Sequence, residues 1–321
     1  MTRFLITGGS GFIGTHIVAS LLKNTQIVVL NLDIQAPKIK EHEKVWQKVD
    51  LCDQELLTET VRQFRPDSVI HLAARTDLRG QKLDDYAVNM QGVGNLLNAL
   101  EEVPTLRQAI FASSMYVCYP GYVPKNFDDY APHTLYGESK VITEKIIKEK
   151  NPSNYTWSII RPTSIWGPYF GEPYDKFFKI VLSRCYFHMG EKACKKTYGY
   201  IDNTVYQILS ILQASPETVD RKVFYIGDYD PYDITEWADE IAGLAHIKIP
   251  HVPYFFFSLM GKVGDLLKKA GITFPMTSFR LKNMTTNNIH DLSPIRQIAP
   301  SLPVARIDGT KATVQWIQTH K

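Results

Sequence analysis

The sequence predicts an α/β fold: a doubly wound parallel sheet, followed on its C-terminal side by a smaller, mostly helical region. Three observations predict it. Short β-rich runs alternate with helical patterns through the first half of the chain, as strands joined by crossover helices require. A glycine-rich turn, Thr7-Gly8-Gly9-Ser10-Gly11-Phe12-Ile13-Gly14, follows the apolar run Phe4-Leu5-Ile6 and opens a helix. After Arg161-Pro162 the alternation stops, where Pro168, Gly171 and Pro173 break the chain.

The first strand is expected at 3–7 and the first helix at about 12–23. In the turn between them, Gly8 permits the tight bend and Gly11 lets the backbone approach a pyrophosphate. Gly14 lets the helix pack closely on the strand. Unpaired N–H groups and a partial positive charge at the helix start suit the phosphates. Together these mark the nucleotide-binding fingerprint of a Rossmann fold. Gly8, Gly11, Phe12, Ile13 and Gly14 are therefore expected to hold a dinucleotide. The second strand, 26–32, ends at Asp33, nineteen residues after Gly14, where a carboxylate can accept hydrogen bonds from the adenosine ribose.

Further strands are expected at 44–49, 68–73, 107–113 and 156–162, and helices at about 53–63, 84–102 and 134–150. His71-Leu72-Ala73-Ala74 closes one strand with small residues that allow a cofactor close approach, and His71 reads as a structural hydrogen-bonder. Beyond the break, helical stretches fit 173–185, 203–214, 234–245 and 256–270, with a terminal helix at 310–319. A late strand at 222–227 is positioned to rejoin the sheet. The expected division is a dinucleotide-binding domain over 1–167, with a segment near 198–228 returning to it, and a substrate-binding region over 168–321.

Composition narrows the function classes. A chain of 321 residues, 44% apolar, buries a large core, and a net charge of +3 is too mild for a nucleic-acid partner. The four cysteines (52, 118, 185 and 194) have no CxxC spacing and suit a reducing, cytoplasmic setting; no metal site is expected. With the first strand expected from residue 3, no signal peptide is expected. The apolar run Tyr254-Phe255-Phe256-Phe257-Ser258-Leu259-Met260 is too short to span a bilayer, so no membrane partner is expected. Lys192, Lys195 and Lys196 form a small cluster that reads as a solvated loop. Lys195, Lys196 and Arg280 are at the same time candidates for a diphosphate, balanced against ordinary surface charge.

The second informative stretch is Tyr136-Gly-Glu-Ser-Lys140. A spacing of four puts Tyr136 and Lys140 on one helix face, one turn apart. A lysine cation near a phenol favours the phenolate and lowers its pKa toward a range useful for proton exchange. Of the 17 tyrosines only Tyr136 has lysine four residues later. The pair opens a helix shortly after a strand ending in Phe111-Ala112-Ser113-Ser114, and ligands gather at such carboxyl ends. Either serine hydroxyl can bond a substrate oxygen.

These residues together resemble the extended short-chain dehydrogenase/reductases, and within them the nucleotide-sugar epimerase/dehydratase group. The resemblance runs through the glycine motif, Asp33, Asp50-Leu51, His-Leu-Ala-Ala (71–74), Asn89, Ser113-Ser114, Tyr136 and Lys140. It continues in Arg161-Pro162, Trp166-Gly167-Pro168 and Tyr200-Ile201-Asp202, thinner beyond 168. It implies NAD as cofactor, held by Gly8, Gly11, Phe12, Ile13, Gly14, Asp33, Asp50, Leu51, Leu72, Ala73, Ala74, Asn89 and Pro162, with Tyr136 and Lys140 on its ribose. It implies Tyr136 as acid/base, Lys140 as its electrostatic partner and Ser114 as donor to the reacting oxygen. Ser114 is preferred to Ser113 because the group's hydroxyl stands three residues before a Val-Tyr-Gly, here Val117-Cys118-Tyr119. The resemblance also implies a nucleotide-sugar substrate and a homodimer paired through the helices at 84–102 and 134–150.

Three departures bear on the reaction. Met115-Tyr116 stands where the 4,6-dehydratases carry Asp-Glu, which argues against water elimination. Tyr116 stands where GDP-fucose synthase has cysteine, and Ser164 where the family often has asparagine. The expectation is an NAD-dependent nucleotide-sugar epimerase. The alternatives are a keto-sugar reductase or sugar or sterol-type alcohol dehydrogenase with net cofactor turnover, or a cofactor-binding regulator without catalysis. The intact Ser–Tyr–Lys set weighs against the regulator. Asp33 weighs against a phosphorylated cofactor, and so modestly against the reductase.

Overall fold

The β-rich runs assemble into a seven-stranded parallel sheet in the computed structural model, which describes residues 1–172, 175–190, 194–269, 272, 274 and 277–320. Six strands come from the first half: β1 (Thr2–Thr7), β2 (Ile27–Leu32), β3 (Trp46–Gln47), β4 (Ser68–His71), β5 (Gln108–Ala112) and β6 (Thr156–Pro162). The strand Lys222–Ile226 lies parallel to β6, so the late strand rejoins the sheet. The spatial order is Lys222–Ile226, β6, β5, β4, β1, β2, β3. The order reverses between β1 and β4, and the turn after β1 therefore opens at the switch point where ligands bind in such sheets.

Both faces of the sheet are covered, which is why its strands read as continuous apolar runs. Alternate side chains serve opposite cores. Ile6, Ile70, Ile110 and Ile160 face a core that includes Ile17 and Val18 of α1 (Phe12–Leu21). Leu5, Val69, Ala109 and Ile159 face a second core. There they meet Leu57 and Val61 of α2 (Gln54–Phe64), Leu96 and Leu100 of α3 (Ala87–Glu101) and Ile147 of α4 (Leu135–Lys150).

The expected strand at 44–49 contracts to two residues. Lys40–Val45 forms a 3₁₀ helix instead, and β3 is an edge strand whose Trp46 Nε1 donates to the Asp33 carbonyl at 3.0 Å. The strand expected to 73 stops at His71. Apart from Lys222–Ile226, the strands described in the second half form short pairs: Ser164–Trp166 with Tyr198–Tyr200, Lys195–Lys196 with Tyr232–Asp233, and His188–Met189 with His251–Val252. Helices occupy α5 (Asp175–Leu182), α6 (Ile201–Gln213), Ile234–Leu244 and Tyr254–Lys269, near the expected positions; Pro173, Lys192 and Ala270 lie outside the described residues. The terminal helix, Arg306–Thr319, starts earlier than expected, and Ser278–Thr285 and Ser293–Ile298 are helices that the periodicity did not separate. Among the described residues no helix is long and apolar enough to cross a membrane.

Candidate active site

Every group that the sequence marks for cofactor or chemistry, apart from Asn89 and Leu51, lies at or near the carboxyl ends of the strands. The turn after β1 is the tightest part. Gly8 has φ +75°, and a Cβ there would stand 2.5 Å from the Ala73 nitrogen. A Cβ on Gly14 would stand 2.3 Å from the Gly8 carbonyl oxygen. A Cβ on Gly11 would meet only the Gly8 oxygen, at 3.2 Å, so the space on that side is largely open. Phe12, Ile13 and Gly14 form the first turn of α1, where amides have no partner within the helix.

Asp33 lies beside this turn. Its carboxylate accepts from the Ser10 amide at 3.0 Å and the Gln35 amide at 2.9 Å. Each oxygen keeps capacity for another donor. Asp50 accepts from the Cys52 amide at 2.9 Å, and the carbonyl of buried Leu51 accepts from Asn95 at 2.9 Å. The Leu72 amide donates to the Thr7 carbonyl at 2.9 Å, carrying Leu72, Ala73 and Ala74 along the glycine turn. Pro162 closes β6. Asn89 is buried: it donates to the Arg75 carbonyl (3.0 Å) and Ser139 (2.9 Å) and accepts from the Arg75 amide (2.8 Å). His71 is structural, its Nδ1 2.7 Å from Thr7 Oγ1. Burial, helped by the Lys140 charge, pushes its pKa down to about 3 and keeps it neutral.

The chemical groups converge from β5 and α4. Ser114 caps the short turn Met115–Val117, where its hydroxyl accepts from the Tyr116 amide at 3.1 Å. Thr134 caps α4 by accepting from the Gly137 amide at 3.0 Å, which fixes the turn carrying Tyr136. The Tyr136 phenol is buried against the Ser114 hydroxyl, with the Tyr116 ring 5.8 Å and the Tyr86 ring 6.2 Å away. Lys140, one turn on and almost fully buried, donates to the Ala112 carbonyl at 2.8 Å.

The electrostatics correct one expectation. Burial pushes the Tyr136 phenol up to about 12, although the Ser114 hydroxyl pulls the other way. The expected lowering by Lys140 does not prevail, because a dry pocket penalises the phenolate and the ammonium points to Ala112. Burial also pushes Lys140 down to about 8, opposed by the Glu144 carboxylate.

Glu144 is the residue the sequence reading missed. It lies one further turn along α4, fully buried, and accepts from Arg161 Nε and Nη2 at 2.8 Å each. Burial raises its pKa, but these bonds outweigh burial and hold it below the ordinary value. Its signal was the i+4 series Tyr136, Lys140, Glu144, Lys148 on one helix face. Of the diphosphate candidates, Lys195 and Lys196 lie in the strand pair with Tyr232–Asp233, and the Arg280 side chain lies outside the described residues.

Comparison with known proteins places this arrangement. An epimerase of N-acetyl-α-D-glucosaminyl-diphospho-ditrans,octacis-undecaprenol (at position 4) from Escherichia coli O157:H7 is 28% identical, over 98% of this chain and 95% of that protein. A 3-beta-hydroxysteroid dehydrogenase of Mycolicibacterium neoaurum is 28% identical over 78% of this chain and 72% of its own length. Among solved structures, the UDP-glucose 4-epimerase of Thermotoga maritima with UDP-glucose superposes with a TM-score of 0.77 at 20% identity, covering 99% of both chains. The UDP-glucuronic acid 4-epimerase of Bacillus cereus with NAD gives 0.77 at 19% identity, over 99% of this chain and 97% of that one. These structures share its Rossmann-like fold. The pattern of the NAD dependent epimerase/dehydratase family matches residues 4–227, and the chain belongs to that family.

Proposed function

We propose that this protein epimerises a nucleotide-linked sugar through transient oxidation of one of its hydroxyls. One observation carries the reading: Ser114, Tyr136 and Lys140 meet at the strand ends beside the glycine cradle, and Met115-Tyr116, not carboxylates, follow Ser114. The residues fit NAD. A side chain at Gly8 or Gly14 would collide with backbone, so the turn is kept bare, and Asp33 presents a carboxylate suited to a ribose diol. Bound there, NAD would supply the acceptor for a hydride and its source on return.

The chain's own residues manage the proton. Tyr136 accepts it from the sugar hydroxyl as the phenolate and later returns it. Ser114 donates to the same oxygen. Lys140, charged below pH of about 8, favours the phenolate at the moment the proton moves. Dehydration needs a further acid, and Glu144 cannot serve while both its oxygens are bound to Arg161. In this reading residues 1–167 carry the cofactor, helped by the segment near 198–228, and 168–321 close over the sugar. A cytoplasmic homodimer paired through α3 and α4 fits the same reading, as do the four free cysteines.

A second reading keeps the chemistry and changes the carrier. The E. coli relative, aligned along nearly the whole of both chains, acts on a sugar joined by diphosphate to undecaprenol. Incubation with UDP-sugars and with a polyprenyl-diphosphate sugar, without added cofactor, separates the two readings by NMR of the product. An inverted hydroxyl without net NADH supports epimerisation of whichever carrier reacts. Stoichiometric NADH formation or consumption moves the assignment to a dehydrogenase or reductase.

A further inference from the structure

The helix Tyr254–Lys269 turns its most apolar side outward. Phe255, Phe256, Leu259, Met260, Val263 and Leu266 are all exposed, Phe255 and Leu266 at 69% each. With 3.6 residues per turn these six fall within one arc of about 140°. The inward side carries Phe257, Gly261 and Gly264, which are buried. A Cβ on Gly261 would stand 3.2 Å from the Ser278 nitrogen, so the helix Ser278–Thr285 begins close against that side. A core-facing amphipathic helix has the opposite arrangement.

Charge identifies the occupant. From residue 241 to 290 the chain has six lysines and arginines against one acid, Asp265, whose carboxylate accepts from the Ser278 amide at 3.1 Å. That stretch carries +5 within a chain of net +3, so the remainder is slightly acidic. Exposed Lys262 borders the apolar arc on one side, and exposed Lys268 stands near the helix end. An apolar arc with one ammonium group at its border and another near the helix end, in a basic stretch, matches the interface of an anionic bilayer: rings and aliphatic chains enter the acyl boundary while the lysines stay among phosphates.

We propose that the helix Tyr254–Lys269 docks this protein peripherally on an anionic bilayer surface. At about 24 Å the helix is too short to span, and it lies in the interface plane. The expectation of no membrane partner rested on spanning length, a requirement that an interfacial helix does not have. The docked surface is one helix away from the active site. Beyond Ser278–Thr285, Asn287 accepts from the Lys195 amide at 2.9 Å and Asn288 from the Gly121 amide at 3.2 Å. The Asn288 side-chain nitrogen lies 3.8 Å from the sulfur of Met115, the neighbour of Ser114. The inference is independent of which sugar the site takes.

Flotation of the purified full chain with vesicles tests it. Vesicles of phosphatidylcholine and phosphatidylglycerol in equal parts should carry the protein upward, and phosphatidylcholine alone should bind it roughly tenfold more weakly or worse. The double variant Phe255→Glu/Leu266→Glu should lose about a hundredfold in association with the mixed vesicles, with NAD affinity and melting temperature unchanged. A wild-type chain that stays at the bottom with mixed vesicles overturns the proposal, as does a double variant that floats equally well. A wild-type dimer that the double variant dissociates would assign the face to a second copy and overturn it too.

Discussion

Lys140 ties the chemistry to a measurable stability. Its fall from the ordinary 10.5 to about 8, caused first by burial, corresponds to roughly 3 kcal/mol at 1.36 kcal/mol per pH unit. Below pH of about 8 the folded and unfolded chains both hold the proton, and burying the ammonium costs the full amount. Between about 8 and 10.5 the unfolded chain keeps a proton that the folded chain has released, so stability rises with pH. Lys140→Met removes this dependence but leaves the Ala112 carbonyl without its donor, at a cost of about 1–3 kcal/mol. The variant should therefore match or exceed wild type in stability at pH 7 and fall behind at high pH. The gap should move by about 3 kcal/mol across the window. Urea unfolding of nucleotide-free protein at pH 7 and near pH 10 measures it, while turnover should drop by roughly two orders of magnitude or more. A stability gap that does not change with pH would refute the buried, charged state assigned to Lys140.

Tyr136→Phe should keep the fold and NAD affinity while turnover falls roughly a hundredfold or more; near-normal steady-state rates in that variant would remove Tyr136 from its role. Asp33 should make NAD bind much more tightly than NADP, since a phosphate beside the carboxylate is repelled; equal affinities by calorimetry would place Asp33 away from the ribose. Glu144→Gln should cost about 3–5 kcal/mol in urea unfolding by leaving the Arg161 guanidinium buried without its counter-charge, and Glu144→Gln/Arg161→Met should recover much of it. Gly8→Ala should be poorly folded or lose NAD binding, because the methyl meets Ala73 at a φ of +75°; an alanine variant with wild-type melting temperature and affinity would contradict this.

What was legible in the sequence is what short-range chemistry specifies. The glycine turn, Asp33 and the Tyr136–Lys140 spacing each work through neighbours within a turn or a strand end, and their positions follow once a parallel sheet is assumed. The second half was harder to read. Its three strand pairs span two or three residues each and join segments far apart in sequence, such as Lys195–Lys196 with Tyr232–Asp233. No periodicity develops in so few residues. The protonation of Tyr136 was misread for a related reason: spacing shows that a lysine is near a phenol, but not how dry the pocket is or where the ammonium points. Asn89 was visible as a polar residue near the cofactor strands, but its commitment to Arg75 and Ser139 depends on a loop conformation that sequence does not display.

Glu144 shows how the invisible part sets up the visible part. Lys140 lies one turn from a buried carboxylate that would attract any ammonium in reach. Arg161, seventeen residues further on and carried by β6, takes both oxygens of that carboxylate at 2.8 Å. Its position is held by the Phe127 carbonyl and by the rings of Phe127, Tyr130 and Tyr225 between 5.4 and 5.7 Å away. A planar guanidinium making two charge-assisted bonds outcompetes a single flexible ammonium for the same group. Lys140 is then left to reach forward to the Ala112 carbonyl, at the strand end where Ser114 and Tyr136 meet. On this argument Arg161 is a positioning residue. Replacing it should redirect Lys140 toward Glu144 and raise the lysine pKa, with turnover lost even where NAD still binds.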